Sequence, residues 1–383
     1  MKKMKSVPTM FIVSMFILIG FCSCESETVK EINIGYIGPL SVRATDLGIG
    51  PSNAMQLAVE EYNANRLENE PKLNLFIEDD KWDPENAIPA YNKLRKEHNI
   101  GIVFIGNTNS TFKLQDLILK DQVILINPLN SGNLIDSFNK NTFRIAKSTE
   151  QTNGLIAYRI IELGLKKVAL FKFPNNYMSQ ATKEVKSILK DSKVAIKIIP
   201  VEVGQTSFKP LLLELQKDQY DAYAFFGYRE LGFAMKEARE LGITAPFYGS
   251  TVLLDPEFYN TSDGTITGTE YPFFTPSDGN YILALEFLSR YENKFSKKPT
   301  SYWPTAQAYD ALNIIINQVK TINTLKDKST PFDEWLRNAL HRVNYYQGVC
   351  GNIAISENGA SKGIYFTLYN YESKENPIVK VKR

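Results

Sequence analysis

The chain has 383 residues, of which 43% are apolar, and its formal net charge is +2. A single hydrophobic core rarely grows to this size, so we expect two packed lobes. The near balance of charge excludes the strongly basic surface of a nucleic-acid-binding protein.

The N-terminal residues predict a targeting segment. Three lysines precede the apolar run 10–21, which is too short to span a bilayer and suits the core of a signal peptide. The join FCSC resembles a bacterial lipobox, so we expect residues 1–23 to be removed and Cys24 to carry a lipid anchor. A plain secretory peptide is the alternative. Cys350 would then be the only other cysteine, which excludes an intramolecular disulfide.

After a polar tether (24–30), predicted strands alternate with predicted helices. Pro51 opens the first helix, and Asp83 with Pro84 begins the second. The other segments of this first series are strands at 32–37, 73–77, 102–106 and 123–127 and a helix from about Thr111 to Lys120. The second series has helices at 152–163, 178–190, 209–217 and 230–241 and strands at 168–173, 194–201, 222–228 and 246–250. Such alternation predicts an α/β fold with two Rossmann-like, parallel-sheet lobes.

Beyond residue 272 the alternation of predicted strands and helices ends. Long helices are predicted at 281–295 and 305–321, with a shorter one at 332–340. Two strand-like pieces, 351–355 and 363–369, follow and complete lobes already begun.

Enzymatic chemistry has no evident location. His98 and His341 are the only histidines, and the sequence contains neither a GxxxxGK[ST] phosphate loop nor a GxSxG elbow. The acidic run at 78–83 fits a strand end followed by a helix N-terminus, although an exported metal-dependent enzyme using Asp79 to Asp83 remains an alternative. We expect no catalytic residue, metal or cofactor.

Two neighbouring loops carry small polar residues. IVFIG is followed by NTNST (107–111), and VILIN (123–127) is followed by PLNSG (128–132). Ligands of open parallel sheets bind beyond the carboxyl ends of strands, where helix N-termini present unpaired N–H groups. Both loops are therefore expected to contact a polar ligand.

These segments give the chain a family resemblance over residues 31–370. It is similar to the type I periplasmic binding proteins of the leucine/isoleucine/valine-binding class, receptors of ABC importers. The matching segments are IGYIGPLS (34–41), EDDKWDPENA (78–87), FIGNTNST (104–111), ILINPLNS (124–131), FPNNYMSQ (173–180), FFGYRE (225–230), YENKFSKKPTSYWPTAQAYDAL (291–312) and GNIAISENG (351–359).

The resemblance implies two lobes that are joined by three crossings and close on a ligand. Lobe 1 would comprise residues 31–147 and 273–345, and lobe 2 residues 148–272 and 346–383. Closure of this kind is a hinge motion stabilised by ligand contacts.

The resemblance also implies a set of ligand-binding residues. Ser110 and Ser131 match the residues that hold the ligand's carboxylate, with Thr111 and Asn130 beside them. In lobe 2, Tyr177 and Tyr228 match aromatic residues that cover the ligand; ordinary lobe packing is the alternative for both tyrosines.

Departures from the family pattern concern the other end of the ligand. Amino-acid-binding members use acidic residues for the α-ammonium group, whereas the corresponding positions here are Thr149 and Thr251, and Glu150 is displaced by one residue. Arg43 and Leu47 also depart from the pattern in the first loop; Arg43 could pair with an anion or be an ordinary surface residue.

The expected function is a lipid-anchored, extracytoplasmic receptor. It would capture a small polar solute, an amino acid, amide or carboxylate, and deliver it as a monomer to an ABC permease and its ATPase. The alternative on the same fold is a ligand-sensing module of a signalling system.

Overall fold

The computed structural model describes residues 28–42, 44–130, 139–327 and 329–381. The first part of the chain comprises β1 (Glu31–Gly38), α1 (Ile49–Asn65), β2 (Lys72–Asp79), α2 (Pro84–His98), β3 (Ile102–Ile105), α3 (Thr108–Lys120), β4 (Ile124–Asn127) and β5 (Thr142–Arg144). The middle part comprises α4 (Gly154–Glu162), β6 (Lys167–Lys172), α5 (Asn176–Leu189), β7 (Ala195–Pro200), α6 (Lys209–Lys217), β8 (Ala222–Phe226), α7 (Arg229–Glu240), β9 (Phe247–Gly249), α8 (Pro256–Ser262) and β10 (Glu270–Phe274). The last part comprises α9 (Ile282–Phe295), α10 (Tyr302–Val319), α11 (Ile322–Leu325), α12 (Phe332–His341), β11 (Tyr346–Gly348), β12 (Gly351–Ile355), β13 (Ser361–Ile364), β14 (Phe366–Asn370) and β15 (Val379–Lys380).

The first sheet is entirely parallel, in the order β2-β1-β3-β4-β5. The inner strands β3 and β4 are buried along their whole length because helices cover both faces of the sheet. One face packs against α1 and α10, and the other against α2 and α3. Within α2, the Asp83 side chain accepts the N–H of Glu85 and Pro84 takes the first turn, as the sequence predicts.

The second sheet has the order β15-β14-β10-β9-β8-β6-β7. Strands β6 to β10 run parallel, whereas β14 pairs antiparallel with β10 and β15 with β14. The prediction of an α/β fold with two parallel-sheet lobes is therefore confirmed. Strand β14 brings the end of the chain to the second sheet, which explains why a strand follows the long helices.

The tail contributes to both lobes. Ile353 and Ile355 of β12 pack in the core of the first sheet, together with Cys350, which is a free thiol. The chain then passes from β13 to β14 and so to the second sheet. The lobe boundaries stated above remain a prediction. Within the described ranges, no helix is both long and apolar enough to cross a bilayer.

Candidate functional site

Asparagines shape the two polar loops at the edge of the first sheet. Asn107 Oδ1 accepts the N–H groups of Asn109 (2.9 Å) and Ser110 (3.4 Å), so α3 begins at Thr108, earlier than predicted. Asn127 Oδ1 accepts those of Leu129 (3.0 Å) and Asn130 (2.8 Å). The same local chemistry forms both turns and places Ser110 in the first turn of a helix.

Ser110 is fully buried and contacts a carboxylate. Its Oγ donates to Asp80 Oδ2 at 3.3 Å, and Asp80 Oδ1 accepts the N–H of Trp82 at 2.9 Å. Burial raises the pKa of Asp80, although both hydrogen bonds oppose the shift. Asp80 belonged to the acidic run of the enzyme alternative but was not predicted as a ligand-binding residue; its position directly after β2, at the same sheet edge, was the available signal.

The other predicted residues of lobe 1 have varied positions. Thr111 Oγ1 donates to the Asn107 carbonyl (3.0 Å) and accepts from Asn127 Nδ2 (2.9 Å), which ties the two loops together. Leu47 is half-buried in a short 3-10 turn before α1, and Asn130 is half-buried after β4. Arg43, Ser131 and the predicted anchor Cys24 lie outside the described residues.

The acidic run serves local structure. Asp79 accepts the N–H of Leu40 (2.9 Å) and of Lys81 (2.8 Å) and the hydroxyl of Ser41 (2.5 Å), while Asp83 caps α2. Across the part of the chain that the structure describes, no group of three His, Cys, Asp or Glu side chains is arranged to hold a metal ion.

Two hydroxyls meet at the edge of the second sheet. Tyr177, in the first turn of α5, and Thr251, which follows β9, have their oxygens 2.5 Å apart. Asn153 Nδ2 donates to the same Tyr177 Oη at 3.0 Å. Asn153 is itself fully buried, and its Oδ1 has no hydrogen-bond partner among the described residues. Asn153 could not be found from the sequence, because its contact is made across elements.

Tyr228 completes this group after β8. Its Oη accepts from Asn175 Nδ2 at 3.2 Å, and its ring packs edge-on against Phe173 with centroids 5.2 Å apart. Burial, chiefly, raises the pKa of Tyr228, with a smaller contribution from Tyr177, so the phenol stays protonated and can donate. The ends of β6, β8 and β9 thus bring together three predicted residues, Tyr177, Tyr228 and Thr251.

Thr149 and Glu150 lie on the segment that links β5 of the first sheet to α4, which precedes the second sheet. Both line a lateral groove of about 1030 Å³, whose other walls include Glu184 of α5 and Lys362 of β13. Burial and then Glu150 raise the pKa of Glu184. Tyr177, which contacts Thr251 in the cluster of hydroxyl-bearing side chains, does not line this groove.

Lys147, on the same segment between β5 and α4, was not among the predicted site residues. Only 3% of it is exposed, and its Nζ lies 3.1 Å from the centroid of the Trp303 ring and 5.5 Å from that of Phe366. Its backbone N–H donates to Gln307 Oε1 at 2.7 Å. Burial lowers the pKa of Lys147 to about 7.

Comparison with known proteins identifies the fold. The family model described as periplasmic binding protein matches residues 31–374. The chain belongs to this family. The leucine-, isoleucine-, valine-, threonine- and alanine-binding protein of Pseudomonas aeruginosa is 23% identical over 365 residues, which cover 92% of this chain and 93% of that protein.

Solved structures of periplasmic binding proteins share this architecture. The branched-chain amino acid transporter substrate-binding protein LivJ of Streptococcus pneumoniae, in complex with isoleucine, has a TM-score of 0.71 at 20% identity, covering 91% of this chain and 98% of that one. A solute-binding protein of an ABC transporter from Rhodopseudomonas palustris, in complex with 3,4-dihydroxybenzoic acid, has a TM-score of 0.74 at 17% identity, covering 92% and 96%. The resemblance to the leucine/isoleucine/valine-binding class is thus confirmed.

Proposed function

We propose that this periplasmic binding protein captures a small polar solute between its two lobes and delivers it to an ABC importer. The observation that carries the proposal is the cluster of three hydroxyl-bearing side chains, Tyr177, Tyr228 and Thr251, at the strand ends of the second sheet. Those strand ends are where parallel sheets bind ligands. On the first sheet, Ser110 and the helix N-terminus beside it would contact the same solute.

The solute would be an amino acid, an amide or a carboxylate. The Pseudomonas aeruginosa relative is named for five amino acids, while the structural neighbours were solved with isoleucine and with 3,4-dihydroxybenzoic acid. Thr149 and Thr251 supply no negative charge for an α-ammonium group. A buried ammonium without a charge partner is costly, so this feature favours amides and carboxylates over α-amino acids.

The protein would act outside the cytoplasm as a lipid-anchored monomer. Cleavage before Cys24 leaves a short tether before β1, which begins at Glu31. The permease and ATPase subunits of the importer are the expected protein partners. No catalytic step is part of this function.

A thermal-shift screen of residues 25–383 tests the binding function. Saturation at 100 times the Kd stabilises a protein by about 2.7 kcal/mol, so a true ligand should raise the Tm by several degrees. Tyr177→Phe and Ser110→Ala should each reduce this rise, because each removes a hydroxyl from the site. Ser207→Ala, on an exposed loop, is the matched control.

The proposal fails if no amino acid, amide or small carboxylate raises the Tm. If a solute does so but Tyr177→Phe and Ser110→Ala respond like Ser207→Ala, the binding residues are wrongly assigned.

A further inference from the structure

Lys147 lies close to the carboxyl edges of both sheets. Trp303 is in the first turn of α10, which runs parallel to α1: Gly50 abuts Thr305 near their starts, and Lys320 Nζ is 5.7 Å from the Tyr62 ring near their ends. Because α1 follows β1, both helices begin at the carboxyl edge of the first sheet.

The ring on the other side of Lys147 belongs to the second lobe. Phe366 is the first residue of β14 and pairs with Phe274, the last residue of β10. Since β10 is parallel to its neighbours, Phe366 lies at the carboxyl edge of the second sheet. The Lys147 ammonium therefore contacts aromatic rings from the carboxyl edges of both sheets.

At this position a nearly buried lysine and a buried glutamine each have a donor without an acceptor among the described residues. Among the described residues, Lys147 Nζ makes contacts with aromatic rings but no ion pair or hydrogen bond. Gln307 is 1% exposed; its Oε1 accepts the Lys147 N–H, which fixes the orientation of the amide, and its Nε2 has no partner in the described structure. A largely buried cation and a buried amide without acceptors are both unfavourable, and an anion that pairs with either group lowers that cost.

The first sheet's edge disfavours an anion beside Ser110. The Ser110 hydroxyl already donates to the buried carboxylate of Asp80, so an anionic group placed there would face a like charge. A neutral or donating part of a ligand fits that position better. The charge beside Ser110 is therefore negative, whereas the charge at Lys147 is positive.

We infer that Lys147 and Gln307 form an anion subsite on the floor of the cleft, and that the captured solute is a carboxylate with an aromatic or apolar body. The inference rests on the proposed function and narrows its solute class. The carboxylate pairs with Lys147 Nζ and Gln307 Nε2, and Trp303 and Phe366 pack against the body. Both rings are half-buried, so they are partly open to solvent and can contact a ligand.

Calorimetric titration of residues 25–383 with benzoate, 3,4-dihydroxybenzoate, benzamide and isoleucine tests this subsite. A carboxylate should bind at least tenfold more tightly than benzamide. Lys147→Met should weaken carboxylate binding by about 30-fold, as expected for a charge-assisted hydrogen bond lost from a buried site. Lys147→Arg should keep the affinity within about fivefold, because it retains the charge. Lys298→Met, at an exposed loop lysine, should change nothing.

The outcomes separate this inference from the proposed function. Carboxylate binding that survives Lys147→Met, benzamide binding as tightly as benzoate, or isoleucine binding that is indifferent to Lys147 would overturn the anion subsite while leaving a solute receptor. Failure of these four compounds and of the wider amino acid, amide and carboxylate panel would overturn both. If Lys147→Met does not fold, a loss of affinity beyond about fivefold in the folded Lys147→Arg variant counts against the subsite.

Discussion

Asp80 and Lys147 are both buried charged side chains, but they differ in the partners that replace their lost hydration. Asp80 is fully buried but accepts two hydrogen bonds, from Trp82 and Ser110, so its carboxylate is solvated by the protein. Within the described part of the chain, the Lys147 ammonium contacts aromatic rings and makes no hydrogen bond, and the rings compensate less of the lost hydration. The difference leaves Lys147 with the greater need for a counter-ion.

Benzoate binding should therefore take up a proton. In the free protein burial lowers the pKa of Lys147 to about 7, and an adjacent carboxylate would raise it again. The lysine is already protonated well below pH 7, so affinity should be constant there and fall as the pH rises from 7 to 9. Titration in buffers of different ionisation enthalpy measures the proton uptake at pH 8.

Lys147→Met is the control for this titration: it should bind benzoate weakly at every pH, without proton uptake and without a fall in affinity between pH 7 and 9. The ammonium contacts the rings of Trp303 from α10 and Phe366 from β14, and Gln307 of α10 accepts the backbone N–H of Lys147; none of these side chains titrates in this range. Arg144, on the same segment, donates to the carbonyls of Ala146 and Lys147. An affinity for benzoate that stays flat between pH 6.5 and 9 would contradict the prediction.

Sequence patterns could not separate Ser110 from Thr111. Both hydroxyls belong to NTNST, and turn chemistry accounts for both. Only the packed structure shows that Thr111 links the two loops while Ser110 reaches Asp80 on another strand. Contacts between residues far apart in sequence, such as Lys147 with Trp303, carry no periodic signal.

At the scale of elements, periodicity predicted most of the first lobe and of the second. The predicted helix at 209–217 agrees with the observed bounds of α6, and the predicted strands overlap β1 to β4 and β6 to β9. Strand β5 was missed because two of its three residues, Thr142 and Arg144, are polar and it forms no apolar run, and β10 because Pro272 interrupts its apolar run.

The turn between β11 and β12 depends on close contact with α10. Asp310 accepts the N–H groups of Val349 (2.9 Å) and Cys350 (2.7 Å), and a Cβ on Gly348 would lie 2.3 Å from its carboxylate. Gly348→Ala should therefore destabilise the protein by about 1–3 kcal/mol, as overpacking does. Equilibrium denaturation in urea measures the change.

Gly204→Ala provides the comparison for Gly348→Ala. Its site has a φ of +79° and open space around the position of a Cβ, so only the backbone strain remains, about 1 kcal/mol. If Gly348→Ala unfolds at the same urea concentration as the unsubstituted chain, the carboxylate moves aside and the contact does not hold the turn.

At the scale of the whole molecule, the tail determines how the lobes are connected. Residues after β10 return to the core of the first sheet through α10, and β14 then joins the second sheet. The sequence pattern showed that long helices replace the earlier alternation of strands and helices. It could not predict the register of β14 on β10, which pairs Phe366 with Phe274.

Cys24→Ala should release the protein from the membrane. A bacterial lipid anchor adds about 0.8 kcal/mol per buried methylene and suffices for stable attachment when several chains are present. Fractionation of expressing cells, with an immunoblot of membrane and soluble fractions, measures the distribution. Cys22→Ala is the matched control and should remain with the membrane, because Phe21 makes Cys22 a poor acceptor. Retention of Cys24→Ala in the membrane fraction would refute the anchor.

The contact between Lys147 and Trp303 also has an optical consequence. The chain has three tryptophans, and the Nζ of Lys147 lies 3.1 Å from the centroid of the Trp303 ring. A charge that close shifts the energy of the excited indole, so the emission of Trp303 depends on where the ammonium lies and on whether it is protonated. Because the same ammonium lies 5.5 Å from the centroid of the Phe366 ring on β14, we expect the emission of Trp303 to change when β14 of the second sheet moves relative to α10.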